Sequence, residues 1–145
     1  MNKHFNFTLL KAMSLLLVLA VVTGCVSTQV SLPLPTDTGW ELTSIQYDEL
    51  EGKTPGPEEN YSITFQADGR LHGQVDCNRY MSSYTEDDGA LEIMMIASTM
   101  AACPPGSIYQ DYLKALEAVT GYFADEDKLT LHFSGGSLEY APAQD

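Results

Sequence analysis

The chain has 145 residues, of which 20 are acidic and seven basic, giving a net charge of −13 with neutral histidines. This acidic balance argues against nucleic acid as a partner, because phosphate binding requires basic residues. The length is enough for a single domain with a modest hydrophobic core.

The first 24 residues predict a cleaved lipoprotein signal peptide. Lys3 and Lys11 give a basic start, and the apolar run 12–22 follows. This run is shorter than the roughly 20 apolar residues that a transmembrane helix needs. The sequence Val22-Thr23-Gly24-Cys25 resembles the lipobox of bacterial lipoproteins. The resemblance implies cleavage before Cys25 and acylation of that cysteine.

A lipid anchor on Cys25 predicts a location in the cell envelope. Each buried methylene contributes about 0.8 kcal/mol, so several acyl chains hold a protein on a membrane. Val26, rather than Asp, follows Cys25, which resembles the pattern sorted to the outer membrane in enteric-type bacteria. We therefore expect the protein to be anchored to the outer membrane and to face the periplasm.

Residues 25–38 predict an extended, acylated tether, since Pro33 and Pro35 interrupt a polar segment. The domain is expected to span residues 39–143. Removing Lys3 and Lys11 leaves five basic residues against 20 acidic ones, a net charge near −15. Anionic headgroups would repel such a surface, so the domain is expected to stand off the membrane.

Alternating apolar and polar residues predict a mainly β domain. The strands are expected at Trp40–Thr43, Tyr61–Gln66, Leu71–Asp76, Leu91–Ile96, Lys128–Phe133 and Leu138–Tyr140. The second and third form a hairpin around Gly69, a residue that accepts the positive φ of tight turns. The polar segment 84–90 predicts a turn region around Asp88-Gly89.

One α-helix is predicted after Pro104-Pro105-Gly106. Ser107 is expected to cap it in a capping box with Gln110, and Gly121 to mark its end. Its apolar face would carry Tyr109, Tyr112, Leu113, Leu116, Val119 and Phe123. Hairpins before and after a single helix favour a small antiparallel β-barrel or strongly curved sheet, with the helix covering one end.

Three segments resemble the META domain, or HslJ-like heat-shock protein, family. They are Trp40-Glu41-Leu42, the stretch from Ile63-Thr64-Phe65 through Asp76-Cys77-Asn78-Arg79-Tyr80, and Ala97-Ser98-Thr99-Met100-Ala101-Ala102-Cys103-Pro104. The resemblance implies a small, mostly β envelope domain linked to stress response, drug tolerance or virulence, without an agreed catalytic site. Asp76 departs from the family pattern, which has Gly before Cys-Asn.

Cys77 and Cys103 remain once Cys25 is committed to lipid. An even pair in an oxidising compartment predicts a disulfide bond. The alternatives are a zinc site and a catalytic thiol. Zinc prefers four ligands, and the chain has no Cys-x-x-Cys. A thiol nucleophile needs a nearby base, for which the mature chain offers only His72 and His132.

Asn78, Arg79 and Thr99 flank the two cysteines and would lie close together if the disulfide forms. They could form a binding patch for an anion or a peptide end. The alternative, which we favour, is structural: Asn78 in a turn, Thr99 bonded to a backbone group, and Arg79 paired with an acid. We expect no metal, because the acidic runs 86–88 and 125–127 lack the spacing of a calcium-binding loop.

The leading hypothesis is a non-enzymatic lipoprotein, with no catalytic residue and no cofactor, that binds another envelope component and contributes to stress or drug tolerance. An envelope protein is one such component. A carrier of a small apolar ligand inside the barrel is the first alternative, and a hydrolase using Cys77 or paired carboxylates is the second. A further set of residues either fills the core, as we expect, or lines a ligand cavity. This set is Met94, Met95, Met100, Tyr80, Tyr84 and Tyr109.

Overall fold

The computed structural model describes residues 31–144. The predicted signal peptide, Cys25 and residues 26–30 lie outside this range. Within it are nine β-strands and one α-helix. In chain order they are β1 (Gly39–Tyr47), β2 (Ser62–Phe65), β3 (Arg70–Val75), β4 (Asn78–Asp87), β5 (Ala90–Ile93), β6 (Ala97–Ser98), α1 (Tyr109–Glu117), β7 (Val119–Ala124), β8 (Leu129–Phe133) and β9 (Gly136–Pro142). None of the described helices is both long and apolar enough to span a bilayer.

Eight of the strands form a closed antiparallel barrel, in which β1, β2, β3, β4, β5, β7, β8 and β9 pair in that order and β9 pairs back to β1. The short β6 adds a second pairing to β4. A barrel of eight strands has an interior just wide enough for side chains to fill. Ile63, Phe65, Leu71, Leu131 and Leu138 are among the residues buried there. The barrel predicted from the sequence is confirmed.

The helix closes one end of the barrel, which we call the helix end. Tyr112, Ala115 and Leu116 are its buried residues. It contacts β3 on one side and β8 and β9 on the other, so it crosses the opening from wall to wall. The prediction that the helix covers one end is therefore confirmed.

Residues 31–38 lie across the opposite end, which we call the N-terminal end. The backbone N–H of Leu32 donates to the carbonyl of Ala124 at 2.8 Å, and that of Asp37 donates to Phe65 at 2.7 Å. Leu34 is buried between these two attachments. These residues were assigned to the tether from the sequence, but they pack on the barrel because Leu34 covers the opening.

The limits of the helix differ from the prediction at both ends. Ile108, one residue later than predicted, occupies the N-cap position and makes no capping hydrogen bond with its side chain. The Ser107 hydroxyl accepts from the Tyr109 N–H at 3.4 Å and also lies 3.2 Å from the Tyr61 hydroxyl, so part of the predicted cap is present. The capping box is not formed, since Gln110 Nε2 donates to the Tyr109 hydroxyl. The helix stops at Glu117, and Val119, Gly121 and Phe123 belong to β7. β-Branched and aromatic residues favour a strand, and this segment pairs with β8 as the strand β7 instead of continuing the helix.

Two strands of the barrel, β4 and β7, were absent from the sequence prediction. The segment 84–87, predicted as part of a turn, continues β4, and only Asp88 and Gly89 form the turn, both with positive φ. On β4 the apolar Met81 is exposed and the polar Asn78 is buried, so apolar and polar residues alternate poorly along the strand. Its place is set by β3 and β5 on either side.

Candidate functional site

A disulfide joins Cys77, in the turn between β3 and β4, to Cys103 ahead of the helix. The predicted bond is therefore present in the structure. A carboxylate oxygen of Asp76 lies near both sulfur atoms. Disulfide sulfurs have no thiolate, which is the form that binds metal or attacks a substrate. The disulfide thus leaves Cys77 without the chemistry that a zinc site or a hydrolase would require.

Asp76 takes a left-handed backbone conformation, with φ of 54°. Glycine adopts this conformation freely, and Asp tolerates it better than most residues. The requirement for positive φ accounts for the Gly that the family pattern has at this position. Asp76 is also buried, and among the described residues its Oδ2 atom has no hydrogen-bond partner.

The candidate patch of Asn78, Arg79 and Thr99 is brought together around the disulfide. Asn78 is buried, and its Oδ1 atom accepts from the Ala101 N–H at 2.7 Å and the Thr99 hydroxyl at 2.9 Å. The Thr99 hydroxyl accepts from the Arg79 N–H at 3.0 Å. Asn78 and Thr99 thus join two backbone segments, which supports the structural interpretation for both.

Arg79 and Thr99 are both exposed, but the Thr99 hydroxyl is already bonded to Asn78 and to the Arg79 N–H. The expected pairing with an acid is not found, since Arg79 is in none of the ion pairs among residues 31–144. Of the three candidate residues, Arg79 is the one whose side-chain polar group makes no hydrogen bond or ion pair within the described residues.

Three buried tyrosines, one on the helix and two on the strands below it, meet at the helix end of the barrel. The hydroxyls of Tyr80 and Tyr112 are 2.8 Å apart, and the Tyr140 hydroxyl donates to that of Tyr112 at 3.2 Å. Tyr80 also donates to the Ser62 carbonyl at 2.9 Å. Burial raises the pKa of all three phenols, that of Tyr112 to about 12. The hydroxyls therefore stay protonated and link the helix to β4 and β9.

An exposed surface on β3 and β4 carries methionine and basic residues. We call it the methionine face and define it by Arg70, His72, Arg79, Met81 and Met95. His72 and Met81 are register partners on neighbouring strands. The side chains of Met81 and Met95 are 64% and 90% exposed. A shallow depression of about 510 Å³ runs between Arg70, His72, Met81 and Met95, and no carboxylate lines it.

The methionines were expected in the core, and this expectation is wrong for all three, since Met94, Met95 and Met100 are 37%, 90% and 95% exposed. Tyr80 does fill the core, and Tyr84 and Tyr109 pack partly against it. The chain leaves the barrel after Ile93, where β5 ends. Met95 therefore no longer follows the inward alternation of Leu91 and Ile93. Met81 points outward because it follows the inward Tyr80.

β5 and β7 share fewer register pairs than the other neighbouring strands of the barrel, and we call the line between them the seam. Ala90 and Gly121 form the one register pair between these strands. A groove of about 660 Å³ lies on the seam. Its lining residues are Thr85, Glu86, Asp87, Ala90, Leu91, Glu92, Ile93, Glu117, Ala118, Val119 and Thr120. Four of them are acids and none is basic, in contrast to the methionine face.

Comparison with known proteins gives a family and a fold. The family model described as META domain matches residues 33–145. A solved NMR structure of a protein from Burkholderia xenovorans is similar, with a TM-score of 0.66 and 23% identity over 84% of this chain and 99% of that one. A crystal structure of a DUF4847 family protein from Bacteroides vulgatus has a TM-score of 0.54 and 19% identity, over 74% of this chain and 94% of that one. At these identities the likeness concerns the fold alone. A search among curated proteins finds no match.

Proposed function

Since the chain belongs to the META domain family, we propose that it is a non-enzymatic, lipid-anchored envelope protein that binds another envelope protein through its methionine face. Binding of this kind would be its contribution to stress or drug tolerance. The observation that carries the proposal is the exposure of Met81 and Met95 around a depression that no carboxylate lines, beside Arg79 on β4. Arg70 is paired with Asp68 at 2.6 Å, so Arg79 is the basic residue of this face that is left to a partner within residues 31–144.

Methionine side chains are flexible and polarisable, so an exposed group of them suits a protein-binding surface. The remainder of the mature chain is strongly acidic. A partner with apolar and acidic groups would be repelled by most of this molecule and attracted to the methionine face. Arg79 contributes an unpaired guanidinium, a group that is enriched at interfaces.

The anchor supports an orientation in which this face is accessible. Cys25 and Ser31 are separated by six residue steps. Such a segment spans at most about 20 Å when fully extended. Residues 31–38 lie over the N-terminal end, so acylation of Cys25 would hold that end toward the membrane and the helix end away from it. The methionine face lies on the side wall, between the two ends.

Photo-crosslinking in intact envelopes tests the proposal. Benzoylphenylalanine would replace Met95 in the full-length, acylated protein, and a control protein would carry it in place of Leu50, which is 73% exposed elsewhere. We expect a discrete protein adduct at position 95 that is absent at position 50. Arg79→Glu should abolish this adduct, whereas the matched Lys114→Glu change on the helix should leave it. Equal adducts at both positions, or an adduct insensitive to Arg79→Glu, would contradict the proposal.

The anchor has its own test. Cys25→Ala removes the site of acylation, so we expect the variant to leave the membrane fraction and to lack the mass of the acyl chains. The alternative of an apolar-ligand carrier has less support, because side chains from the strands and the helix fill the barrel interior. A ligand would have to displace that core.

A further inference from the structure

We propose that Asp76, Cys77 and Cys103 form a zinc site when a dithiol reduces the disulfide between the two cysteines. The inference concerns the turn between β3 and β4 and does not rest on the function proposed for the methionine face. Two independent observations carry it. The three ligand atoms lie together, and one oxygen of the Asp76 carboxylate is buried without a hydrogen-bond partner among residues 31–144.

The three ligands come from two segments that the fold brings together. Asp76 and Cys77 form the turn after β3, and Cys103 lies ahead of the helix. A carboxylate oxygen of Asp76 and the two sulfur atoms all lie within 4.8 Å of one another. Ligand atoms around one tetrahedral zinc ion lie roughly 3.5 Å apart, so small side-chain rotations suffice once the S–S bond is open. Zinc accepts two thiolates and a carboxylate, and Cys77 is exposed, so water can take the fourth position.

The carboxylate of Asp76 has no structural role that accounts for it in the oxidised protein. The residue is only 9% exposed, and among the described residues its Oδ2 atom has no partner and its side chain joins no ion pair. A buried polar atom without a partner destabilises the fold, and the left-handed backbone at this position favours glycine. A cation would supply the missing partner. It would also relieve the repulsion between a carboxylate and two neighbouring thiolates.

Hydrogen bonds to Asn78 hold the two segments side by side without the disulfide. The Asn78 Oδ1 atom accepts from the Ala101 N–H at 2.7 Å and from the Thr99 hydroxyl at 2.9 Å. Its Nδ2 atom donates to the Ala101 carbonyl at 3.0 Å. The same Nδ2 atom lies 3.4 Å from the Cys77 sulfur and 3.3 Å from the Cys103 sulfur. The ligands of the reduced protein are therefore held close to the positions that zinc requires.

The site opens by thiol–disulfide exchange. One thiolate of the dithiol attacks the exposed Cys77 sulfur, the S–S bond breaks, and the Cys103 sulfur leaves with the electron pair and takes up a proton. The second thiolate of the dithiol then displaces Cys77, which is protonated in turn. The dithiol is oxidised to a disulfide, and the chain is reduced by two electrons. Zinc binding releases the two thiol protons, because the metal binds thiolates.

The test titrates Zn²⁺ into the acylated full chain in detergent micelles, before and after reduction with a phosphine that is then removed without oxygen. We expect the reduced protein to bind one zinc ion at least about 100-fold more tightly than the oxidised protein. Zn²⁺ should also raise the midpoint of thermal unfolding of the reduced protein alone. Equal affinity of the two forms, or zinc binding by the Cys77→Ala, Cys103→Ala double variant, would overturn the proposal.

Asp76→Asn distinguishes the folded site from two thiols in a loosened chain. The change keeps the size of the side chain and removes its charge, so zinc binding should weaken at least about ten-fold. Asp88→Asn is the matched control, since Asp88 also has positive φ but is exposed, and it should bind zinc like the unchanged protein. An unfolded chain would bind through its cysteines alone, so equal affinity of Asp76→Asn and the unchanged protein would contradict the proposal. Met95→Glu should leave zinc binding unchanged, which separates this result from that at the methionine face.

Discussion

The wall formed by β3 and β4 and the seam between β5 and β7 differ in how completely their strands pair. β3 pairs with β4 along its whole length, from Arg70–Ser83 to Val75–Asn78. β5 and β7 share a single register pair. A complete ladder satisfies its backbone groups, so its outer face can offer only side chains. The ladder at the seam is incomplete, so fewer backbone hydrogen bonds hold β5 and β7 together. We infer that the wall of β3 and β4 is the firmer of the two regions.

Removal of the disulfide should cause the largest loss of stability among these predictions. The bond links Cys77, in the turn between β3 and β4, to the segment before the helix. The bond spans a sequence separation of 26 residues. Chain entropy for a loop of that size predicts a loss of about 3.5 kcal/mol of unfolding free energy. Urea denaturation of the Cys77→Ala, Cys103→Ala double variant would measure it. A loss below about 1 kcal/mol would show that the bond does not brace the wall.

Two glycine substitutions compare the regions directly. A Cβ atom on Gly73 would lie 1.9 Å from the backbone oxygen of Ser62, inside the complete wall. On Gly121 it would lie 3.1 Å from the backbone oxygen of Gly89, across the seam. We expect Gly73→Ala to cost about 3 kcal/mol and Gly121→Ala about 1 kcal/mol or less, because the seam can widen slightly. Equal losses in thermal or urea unfolding would mean that the seam is as rigid as the wall.

Alkaline pH should destabilise the protein through the tyrosine cluster, which ties β4 to the helix. The folded-state pKa of Tyr112 is about 12, and burial is the main cause. An unfolded tyrosine has a pKa of about 10. The contribution of the protonated Tyr112 phenol to the free energy of unfolding is therefore complete below about pH 10 and is lost as the pH rises toward about 12. Tyr112→Phe should cost about 1 kcal/mol at neutral pH and make the alkaline decline shallower. An unchanged alkaline slope in urea titrations would contradict this assignment.

Asp76→Gly should stabilise the wall. Glycine adopts the positive φ at this turn without strain, and the change removes a buried oxygen that has no hydrogen-bond partner among the described residues. These gains outweigh the entropy that glycine adds to the unfolded chain, for a net increase of about 1 kcal/mol. Asp88→Gly is the matched control, since Asp88 also has positive φ but is exposed. Asp76→Gly should stabilise more than the control, and an equal or smaller gain would count against the role of burial.

The features that followed from the sequence are local or compositional. The hairpin around Gly69 was predicted because both of its strands alternate cleanly, and the disulfide because two cysteines remained in an oxidising compartment. The structural roles of Asn78 and Thr99 followed from their positions beside those cysteines. The lipid anchor on Cys25 stays a prediction, because it lies outside the described residues.

The features that the sequence did not predict depend on distant partners. Strand β4 exposes Met81 and buries Asn78, so its sequence does not alternate clearly, and its ladder partners on both sides define it. The sequence around Leu34 resembles a linker, and Leu34 is buried only because the open end of the barrel lies beside it. Met95 follows an inward alternation that ends when the chain leaves the barrel. The seam is a relation between β5 and β7, which are separated in the chain by the whole helix, so no local pattern could indicate it.

Native-state hydrogen exchange of two amides tests the central contrast most directly. The Leu71 N–H faces β4 within the complete ladder, whereas the Ile93 N–H faces the groove of the seam. We predict that the Ile93 amide exchanges at least about 100-fold faster than the Leu71 amide, by local opening, while Leu71 exchanges only on global unfolding. Equal, slow exchange at both positions would show that the barrel is closed as firmly between β5 and β7 as between β3 and β4.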